Sequence, residues 1–541
     1  MTVSISRSQA LEFVEQACRA AVRSLARLTT TNGSFDRHRF DALQPEAFEL
    51  ARMLGEREAA RAVDRFGQLK PDEYDNALAD VYVAMVAQRI SHSLVSFGHV
   101  FGADGLLDQW TPVRSWCRST LDSESMVRIA AMMFERSSEA TGSLRDGDVY
   151  SEIRRTFARF ADTRIEPIAE HIHRHDDILP EDLLSSLADL GVFGISIPEE
   201  YGGTFVDNLT MCIATEELSR ASLGAGGSVI TRPEICAKAL LKGGSEEQKN
   251  QWLPSIASGE TLVSVAVTEP NAGSDVASLR VTARPVAGGY VINGEKTWCT
   301  FAGRANVFIL LARTGQPEDG AKGLTLFLVE KPATISATDH HHFAHTQESG
   351  GTVEGHAIPT VGYRGMHSFS VSFDNYFVPL ANRVGAEGQG FALQMEGFAG
   401  GRIQTAARAV GVMEAAFRRA IQYTSERRVF GSALKDYPLP CSRLVRMAAT
   451  IMASRRLSYD VALMMDRHEG QMEASLVKLI SCKDAEWVTR EAMQLHGGMG
   501  YSLEYPVSRY WQDARVLSIF EGAEEVLALY VVARQALREA I

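Results

Sequence analysis

The sequence lacks a disulfide framework and a long apolar run. Its seven cysteines are scattered without a CxxC motif, which favours free thiols in a reducing compartment. No stretch of about 18 apolar residues predicts a membrane span, and the N-terminal stretch has no basic region followed by an apolar one. We therefore expect a cytoplasmic protein without a membrane partner.

An excess of basic charge is also missing. The net charge is −12, whereas a nucleic-acid-binding protein needs a concentrated basic surface, so we expect no nucleic-acid partner. The chain contains no GxGxxG motif, which argues against a dinucleotide-binding fold of that kind. A length of 541 residues exceeds what one hydrophobic core usually supports, so several domains are expected.

What the chain does have is a change of hydrophobic period. Apolar residues recur at three- and four-residue spacing in most of the chain, which predicts helices, but alternate with polar residues in a central stretch, which predicts strands. We predict a mainly α protein with a central all-β domain. The predicted domains are a helical extension at 1–145, a helical domain at 146–260, the β-domain at 261–382 and a helical bundle at 383–541.

The central stretch carries strong strand and turn signals. The segment "LRVTARPVAGGYVINGEKTW" alternates, and we predict turns at its Gly-Gly and its Asn-Gly. Three further segments, "NVFILLAR", "GLTLFLVE" and "FSVSFDNYFVP", continue the strand pattern.

A cluster of histidines follows within the same domain: His340, His341, His342 and His345. Clustered histidines can bind metal, but consecutive imidazoles on a loop point in different directions, and a metal site needs fixed geometry. The favoured interpretation is a solvated loop between strands, with no metal.

The most specific motifs are "VAVTEPNAGSD" and "GEKTWCT". Gly273 allows close backbone approach, Thr268, Ser274 and Thr300 supply hydroxyls, and Trp298 offers a broad aromatic face. This set suits a planar ring that takes hydrogen bonds from one side. An ordinary turn beside a core tryptophan is the alternative.

Glu521 stands between Phe520 and Gly522, just before a strongly helical segment. Acids are favoured in the first turn of a helix, so capping is one interpretation. The other is a general base held in a partly dry site.

Five ordered motifs, the two above together with "ERRVFGSAL", "QLHGGMGYSLEYPVSRYWQDAR" and "IFEGAEE", resemble those of the acyl-CoA dehydrogenase family. The resemblance covers about 160–541. It implies FAD as cofactor, an acyl-CoA substrate, an electron-transferring flavoprotein as acceptor, and a helical domain, a β-domain and a C-terminal four-helix bundle in a homotetramer or dimer. The helical extension is additional to this core, and we hypothesise that it covers the CoA entrance or the subunit interface.

The resemblance assigns residues one by one. Thr268, Gly273, Ser274, Trp298 and Thr300 would hold the flavin of their own subunit. Arg427, Phe430, Gln494 and Gly498 would hold the pyrophosphate and adenosine from a neighbouring subunit.

The chain has Pro438 where the family pattern has a glutamine and Ala523 where it has a threonine. The resemblance implies that each departure removes one hydrogen bond to FAD. Glu521 falls at the position of the catalytic base, which removes the α-proton while the β-hydride passes to the flavin. The alternative base position of the family, before Arg402, is Gly401 here.

The substrate is expected to be a short branched or dicarboxylic acyl-CoA. The helical extension, "GYRGM" and "RIQTAARAVGV" resemble the subfamily that oxidises (2S)-methylsuccinyl-CoA to mesaconyl-CoA. A free carboxylate on the substrate wants a cationic partner, for which Arg232 is the candidate clamp and Arg402 a second substrate-binding candidate. The alternative for Arg232 is a structural arginine. After "GYRGM" the chain departs from the subfamily, with His367, Ser368 and Ser370 in place of acidic residues.

Three other functions remain open at this point. An acyl-CoA dehydrogenase or oxidase that acts on another short or medium acyl-CoA would share Glu521 and the flavin-binding set. A non-catalytic relative would keep the fold and FAD only, which the retention of Glu521 disfavours. A nitroalkane-oxidising relative would be expected to carry aspartate at position 521.

Overall fold

The computed structural model describes residues 5–69, 72–136, 139–144, 147–333 and 340–541. The chain divides into two compact units: a helical unit made of Met1–Ile153 with Thr405–Ile541, and a sheet-containing unit made of Arg154–Gln404. Across the described residues, none of the helices combines the length and apolarity needed to cross a bilayer. All seven cysteines are buried and unpaired, which confirms the prediction of free thiols.

The helical unit contains helices from both ends of the chain and two small hairpins. Its N-terminal elements are α1 Arg7–Leu28, β1 Thr30–Thr31, β2 Ser34–Phe35, α2 Arg37–Asp41, α3 Gln44–Leu69, α4 Glu73–Phe101, α5 Trp110–Thr120 and α6 Ser123–Phe134. The sequence determines where helix α4 begins. The Asp72 carboxylate caps its N-terminus by accepting hydrogen bonds from the main-chain N–H groups of Tyr74 and Asp75. Gly102 ends it with a φ of 60°.

The N-terminal helices pack directly on the C-terminal ones. Gly55 of α3 lies so close to the Ile480 side chain that an added Cβ would come within 2.5 Å of it. The guanidinium of Arg456 stacks over the Phe66 ring at 3.8 Å, and Arg65 forms an ion pair with Asp460. The extension predicted at 1–145 is thus part of the same core as the C-terminal helices.

The sheet-containing unit begins with helices and continues with strands. Its helices are α7 Asp148–Phe160, α8 Glu166–His175, α9 Glu181–Asp189, α10 Asn208–Ala221, α11 Thr231–Gly243 and α12 Glu246–Ala257, the first starting in the helical unit. Its strands are β3 Val263–Ala266, β4 Thr282–Val286, β5 Gly289–Thr300, β6 Val307–Arg313, β7 Leu324–Glu330, β8 His342–Thr346, β9 Thr352–Ala357, β10 Ser368–Pro379 and β11 Arg383–Val384.

These nine strands form one sheet in the order β11-β7-β6-β4-β5-β10-β9-β8, with β3 pairing parallel to β6. The apolar residues of β6 and β7 are buried on both faces, which explains their continuous hydrophobic runs. One face packs on a core that includes Leu240 and Leu253 of the preceding helices.

The remaining elements follow the sheet. They are α13 Gly390–Glu426, β12 Arg428–Val429, β13 Ser432–Ala433, α14 Pro438–Met465, α15 Gln471–Leu495, α16 Val507–Leu517, α17 Glu524–Val526 and α18 Arg534–Glu539. Helix α13 runs through the boundary of the two units at Gln404 and Thr405. The predicted fold class is confirmed, while the four-domain division remains a prediction.

Two local predictions are wrong. The Gly-Gly turn is present, with Gly288 at a φ of 80° between β4 and β5, but Asn293–Gly294 makes no turn. Instead Gly294 lies inside β5 with a φ of 130°, where the pairing with β10 becomes irregular, because a glycine accepts a kink within a long strand. His342 and His345 belong to strand β8, which pairs with β9, rather than to a loop.

Candidate active site

A buried ion pair fixes the loop that carries the first motif. Glu269 accepts hydrogen bonds from the N–H groups of Arg280 and Val281 at 2.7 and 2.8 Å. Its Oε1 also accepts one from the Lys296 ammonium at 2.9 Å, and Lys296 is fully buried. The loop is therefore anchored to β5, so its glycine and hydroxyl groups are held in place. Sequence reasoning quoted both residues within motifs but gave them no role.

Trp298 is presented to the outside by a bulge in β5. Residues Thr297 and Trp298 stand opposite the single residue Ser370 of β10, so the strand gains one residue there. Trp298 has a φ of 59° and is 55% exposed. A half-exposed indole in a strained backbone conformation is not an ordinary core tryptophan, which was the alternative interpretation.

The hydroxyls near this indole are largely available. Within the described chain the side chains of Thr268 and Ser274 make no hydrogen bond, and Thr300 pairs with Ser368 at 2.9 Å. A Cβ added at Gly273 would meet only Thr268, at 3.7 Å, so the backbone there is open to a ligand. An exposed aromatic face, unused hydroxyls and open backbone fit a planar flavin.

In the helical unit, Arg427 and Phe430 lie at the β12–β13 hairpin. Phe430 is 99% exposed with a φ of 48°, and the next residue, Gly431, has a φ of 90°. Two positive φ values are what a tight hairpin turn of this kind requires. The Arg427 side chain is exposed and makes no ion pair within the described residues. A free guanidinium beside a fully exposed phenyl ring is suited to a diphosphate and an aromatic ligand group.

Gln494 and Gly498 lie at the end of α15 and are brought to the same place. The His496 ring stacks on Tyr423, with centroids 4.3 Å apart, and the main-chain N–H of Arg427 donates to the main-chain carbonyl of Tyr423 at 2.8 Å. Burial lowers the pKa of His496, which favours the neutral ring. A Cβ at Gly498 would meet nothing within 4 Å. Tyr423 and His496 were missed by sequence reasoning, because stacking across two helices leaves no sequence signal.

Of the two departures from the family pattern, Pro438 has a local structural explanation and Ala523 has none. Pro438 is the first residue of α14, a position where proline's missing N–H costs nothing. Ala523 precedes α17 as its N-cap, but it has no side-chain oxygen to cap the helix.

Glu521 lies in the turn between α16 and α17 and not in a helix. Its φ is 54°, and its Oε2 is buried without a hydrogen-bond partner among the described residues. The turn is clamped on both sides: Lys478 donates to the Gly522 carbonyl at 2.7 Å, and the Arg408 guanidinium lies 4.8 Å from the Phe520 ring centroid. The side chain caps no helix, so the capping interpretation has no geometric basis. The left-handed conformation costs about 1–2 kcal/mol, which the clamps offset.

Arg232 is a buried arginine in the first turn of α11. It is 7% exposed and donates to the Ser228 carbonyl at 2.5 Å and to the Tyr363 hydroxyl at 2.8 Å. No carboxylate of the described chain lies within ion-pair distance of it. Tyr363 belongs to the "GYRGM" motif, so the structure joins two segments that the sequence left separate.

Arg402 lies half-buried on α13, after Gly401. The carboxylate of Glu234, on α11, forms an ion pair with Lys238 at 2.5 Å and accepts a hydrogen bond from Gln404 of α13. A Cβ at Gly400 would come within 2.2 Å of Glu234, so this stretch of α13 packs closely on α11.

The site residues and the fold agree with a known enzyme class. Models of the N-terminal, middle and C-terminal domains of acyl-CoA dehydrogenases match residues 148–260, 264–376 and 388–537. The chain therefore belongs to the acyl-CoA dehydrogenase family, whose members are oxidoreductases that act on CH–CH bonds with FAD as cofactor.

The chain is similar to individual members of this family and to solved structures. The (2S)-methylsuccinyl-CoA dehydrogenase of Cereibacter sphaeroides is 42% identical over 415 residues, which cover 76% of this chain and 74% of that protein. The structure of butyryl-CoA dehydrogenase from Megasphaera elsdenii has a TM-score of 0.66 at 30% identity and covers 72% of this chain and 99% of its own. A chain in the structure described as the electron-transferring flavoprotein of Acidaminococcus fermentans has a TM-score of 0.67 at 30% identity, covering 73% of this chain and 100% of its own.

Proposed function

We propose that this chain catalyses the α,β-dehydrogenation of a short branched or dicarboxylic acyl-CoA thioester, with (2S)-methylsuccinyl-CoA as the substrate and mesaconyl-CoA as the product. The observation that carries the choice of substrate is the buried Arg232, which has no carboxylate partner among the described residues. The 42% identity to a (2S)-methylsuccinyl-CoA dehydrogenase supports it.

The proposed base is Glu521. The α-proton of a thioester is only weakly acidic, so its removal needs a carboxylate within hydrogen-bond reach. The Glu521 Oε2 has no competing partner, and the main-chain N–H of Glu521 donates no hydrogen bond within the described chain. The carboxylate would take the α-proton while that N–H donates to the thioester oxygen, where negative charge develops.

FAD, when bound, would accept the β-hydride. The residues proposed to hold the flavin ring are Thr268, Gly273, Ser274, Trp298 and Thr300. Arg427, Phe430, Gln494 and Gly498 are proposed to hold the pyrophosphate and adenosine. Each of these side chains or backbone positions is exposed or lacks an internal partner, apart from Thr300 with its bond to Ser368.

Arg232 is the proposed partner of the free carboxylate of the substrate. A guanidinium has five N–H donors, and burial without an anion is costly. Only the Ser228 carbonyl and the Tyr363 hydroxyl accept from it in the described chain, which leaves donors for a two-pronged bond to a carboxylate. Arg402 is a second candidate for contact with the substrate.

The proposed electron acceptor is an electron-transferring flavoprotein, and the proposed assembly is a homodimer or homotetramer. The Phe430 ring supports assembly, because a fully exposed phenyl on a strained turn is a poor surface for a lone subunit. The seven free cysteines support a reducing compartment such as the cytoplasm.

The test is a visible spectrum of the FAD-loaded protein under anaerobic conditions, before and after addition of methylsuccinyl-CoA, with butyryl-CoA in a parallel cuvette. We expect rapid bleaching of the flavin band by methylsuccinyl-CoA and slower bleaching by butyryl-CoA. A band that bleaches only with butyryl-CoA would overturn the dicarboxylic substrate and keep the reaction class. Slow reoxidation in air, with fast reoxidation by electron-transferring flavoprotein, would separate a dehydrogenase from an oxidase.

A further inference from the structure

Outside this site, the sheet-containing unit brings three histidines together. His340 and His341 immediately precede β8, and His367 immediately precedes β10. One ring nitrogen from each lies within 4.8 Å of the others. The ring centroids of His340 and His341 are 5.7 and 5.2 Å from that of His367. The sequence analysis grouped the first two histidines and named His367 only as a departure after "GYRGM", without linking it to them.

His367 has one ring nitrogen engaged and one left over. The residue is 8% exposed, and its Nε2 lies 3.1 Å from the Asp176 carbonyl and 3.5 Å from the Asp176 carboxylate. Because a carbonyl oxygen only accepts, Nε2 carries the proton, and Nδ1 has a lone pair. Nδ1 is buried and has no hydrogen-bond partner in the described chain. A buried imidazole nitrogen without a partner is costly unless a ligand completes it.

The surroundings of His367 match those of metal-binding histidines. Such histidines usually donate their second N–H to a carboxylate or carbonyl, which fixes the tautomer and the ring orientation. Asp176 offers both groups. The His367 main chain is fixed as well, since its carbonyl accepts a hydrogen bond from the Phe301 N–H at 2.8 Å.

We propose that His340, His341 and His367 bind a divalent transition-metal ion of the zinc class, with Asp176 as the residue that positions His367. Ligand nitrogens at about 2.0–2.1 Å from a tetrahedral zinc ion are roughly 3.4 Å apart, so a small inward movement of the rings completes the site. The fourth position is open to water. The ion ties the end of α8 to the starts of β8 and β10.

A second trio on the same sheet provides a control. His342, Glu354 and His356 also lie within metal-binding distance of one another, but on the exposed face of β8 and β9. Both imidazoles already face one carboxylate oxygen of Glu354, at 3.0 and 3.2 Å. These nitrogens have a partner, so nothing in this trio calls for an ion.

The experiment is calorimetric titration of FAD-loaded, tag-free protein with zinc chloride, followed by cobalt(II) loading, in which the intensity of the cobalt bands reports coordination number. We expect one site that is lost in His340→Ala and in His341→Ala and kept in His356→Ala. Both ligand changes are at positions that are not deeply buried, so folding should survive. In Asp176→Asn the new residue tolerates the φ of 56° as aspartate does, so the backbone should not change. We expect this variant to bind zinc about 10-fold or more weakly.

Two results would overturn the proposal. One is no zinc binding by the parent protein. The other is binding that disappears in His356→Ala and persists in His341→Ala, which would assign the ion to the exposed trio. A tetrahedral cobalt spectrum that changes in Asp176→Asn supports a positioning role, because a merely structural effect would alter stability without altering the coordination sphere.

Discussion

Two glutamates of the helical unit, Glu414 and Glu521, have opposite surroundings. Glu414 accepts hydrogen bonds from Thr141 at 2.7 Å, Arg455 at 3.0 Å and Arg418 at 2.8 Å. The Glu521 side chain makes none within the described chain. Glu414 joins the N-terminal helices to the C-terminal ones, whereas Glu521 stands in a clamped turn at positive φ. A carboxylate whose oxygens accept hydrogen bonds from neighbouring side chains stabilises the fold, whereas a carboxylate without such donors is available for chemistry.

Two arginines repeat this contrast in different units. Arg455 is 2% exposed and pairs with Glu414. Arg232 is 7% exposed, and its hydrogen-bond acceptors among the described residues are neutral: the Ser228 carbonyl and the Tyr363 hydroxyl. Burying an unpaired charge is expensive, so a chain that keeps one gains something from it other than stability. The four predictions below test whether this difference separates structural from functional charges.

The largest effect is expected from Glu521→Gln. Removing the base should lower kcat by on the order of 10³-fold while FAD binding and the melting temperature stay unchanged, since the side chain makes no internal bond. The measurement is anaerobic single-turnover flavin reduction. Glu524→Gln is the matched control. Glu524 lies three residues after Glu521, at the start of α17, and forms an ion pair with Lys483 of α15 at 2.9 Å. An equal loss of the flavin-reduction rate in both variants would contradict the assignment of Glu521, rather than Glu524, as the base.

The next largest effect is expected from Glu414→Gln, which should lower the stability of the fold and leave the rate of flavin reduction unchanged. Breaking a buried ion pair leaves Arg455 uncompensated, and we expect the free energy of unfolding to fall by about 3–5 kcal/mol. Chemical denaturation followed by circular dichroism measures it. Glu426→Gln, an exposed position on the same helix, is the control and should change little.

The pH dependence of Glu414 follows from its surroundings. Burial alone would raise its pKa, but Arg418 and Arg455 outweigh burial and hold the pKa at about 2. Because the folded-state pKa lies below the ordinary value of 4.5, the stabilisation is complete above pH 4.5 and is lost as the pH falls toward 2. Glu414→Gln should therefore flatten the acid limb of the stability profile; an unchanged limb would assign acid unfolding to other groups.

The third change, Arg232→Met, tests the unpaired arginine. Loss of a charged hydrogen-bond partner should lower kcat/KM for methylsuccinyl-CoA by about 10- to 100-fold and leave that for butyryl-CoA nearly the same. Steady-state kinetics on both substrates measures the ratio. A parallel loss on both would make Arg232 a structural residue, as the alternative interpretation holds.

The smallest effect is expected at Lys331, a buried cation that, like Arg232, has no carboxylate partner among the described residues. It is 5% exposed, and within the described part of the chain it donates to the carbonyls of Gly303 and Pro332, at 3.2 and 3.1 Å. Burial lowers its pKa to about 7 from 10.5. The folded state therefore holds fewer protons than the unfolded one between these values, and the parent protein gains stability as pH rises from 7 to 10.5.

Lys331→Met should remove that gain, so the melting temperatures of parent and variant, recorded at pH 6, 8 and 9.5, should diverge with pH by a few degrees. Parallel profiles would mean that Lys331 keeps its charge in the folded state, and that burial alone does not mark a costly cation.

Much of the fold was visible in the sequence because it rests on local periodicity. The change from helical spacing to alternation located the sheet, and the Gly-Gly turn was readable because glycine alone accepts its φ freely. The Asn-Gly prediction failed because the pairing of β5 with β10 overrides a local turn signal. Strand β8 was missed because it is defined by its partner β9 more than by its own histidine-rich sequence.

The site was predictable only as single residues. Glu521 and Trp298 could be named from motifs. Their positive φ values, and the lack of a hydrogen-bond partner for the Glu521 Oε2 among the described residues, are properties of the folded chain. Arg232 meets Tyr363 across a separation of 131 residues, and Glu269 meets Lys296 across 27. Such contacts depend on tertiary packing, which one sequence does not reveal.

The shared core of the helical unit also has a consequence for synthesis. The helices before Ile153 leave the ribosome long before those after Thr405. At about 5–20 residues per second, the 251 residues between these points take roughly 13–50 s to translate. During that interval the faces of α3 and α4 that later meet α14 and α15 are bare. A nascent chain stalled near residue 400 should therefore bind cellular holdases strongly, and one that has passed α15 should release them.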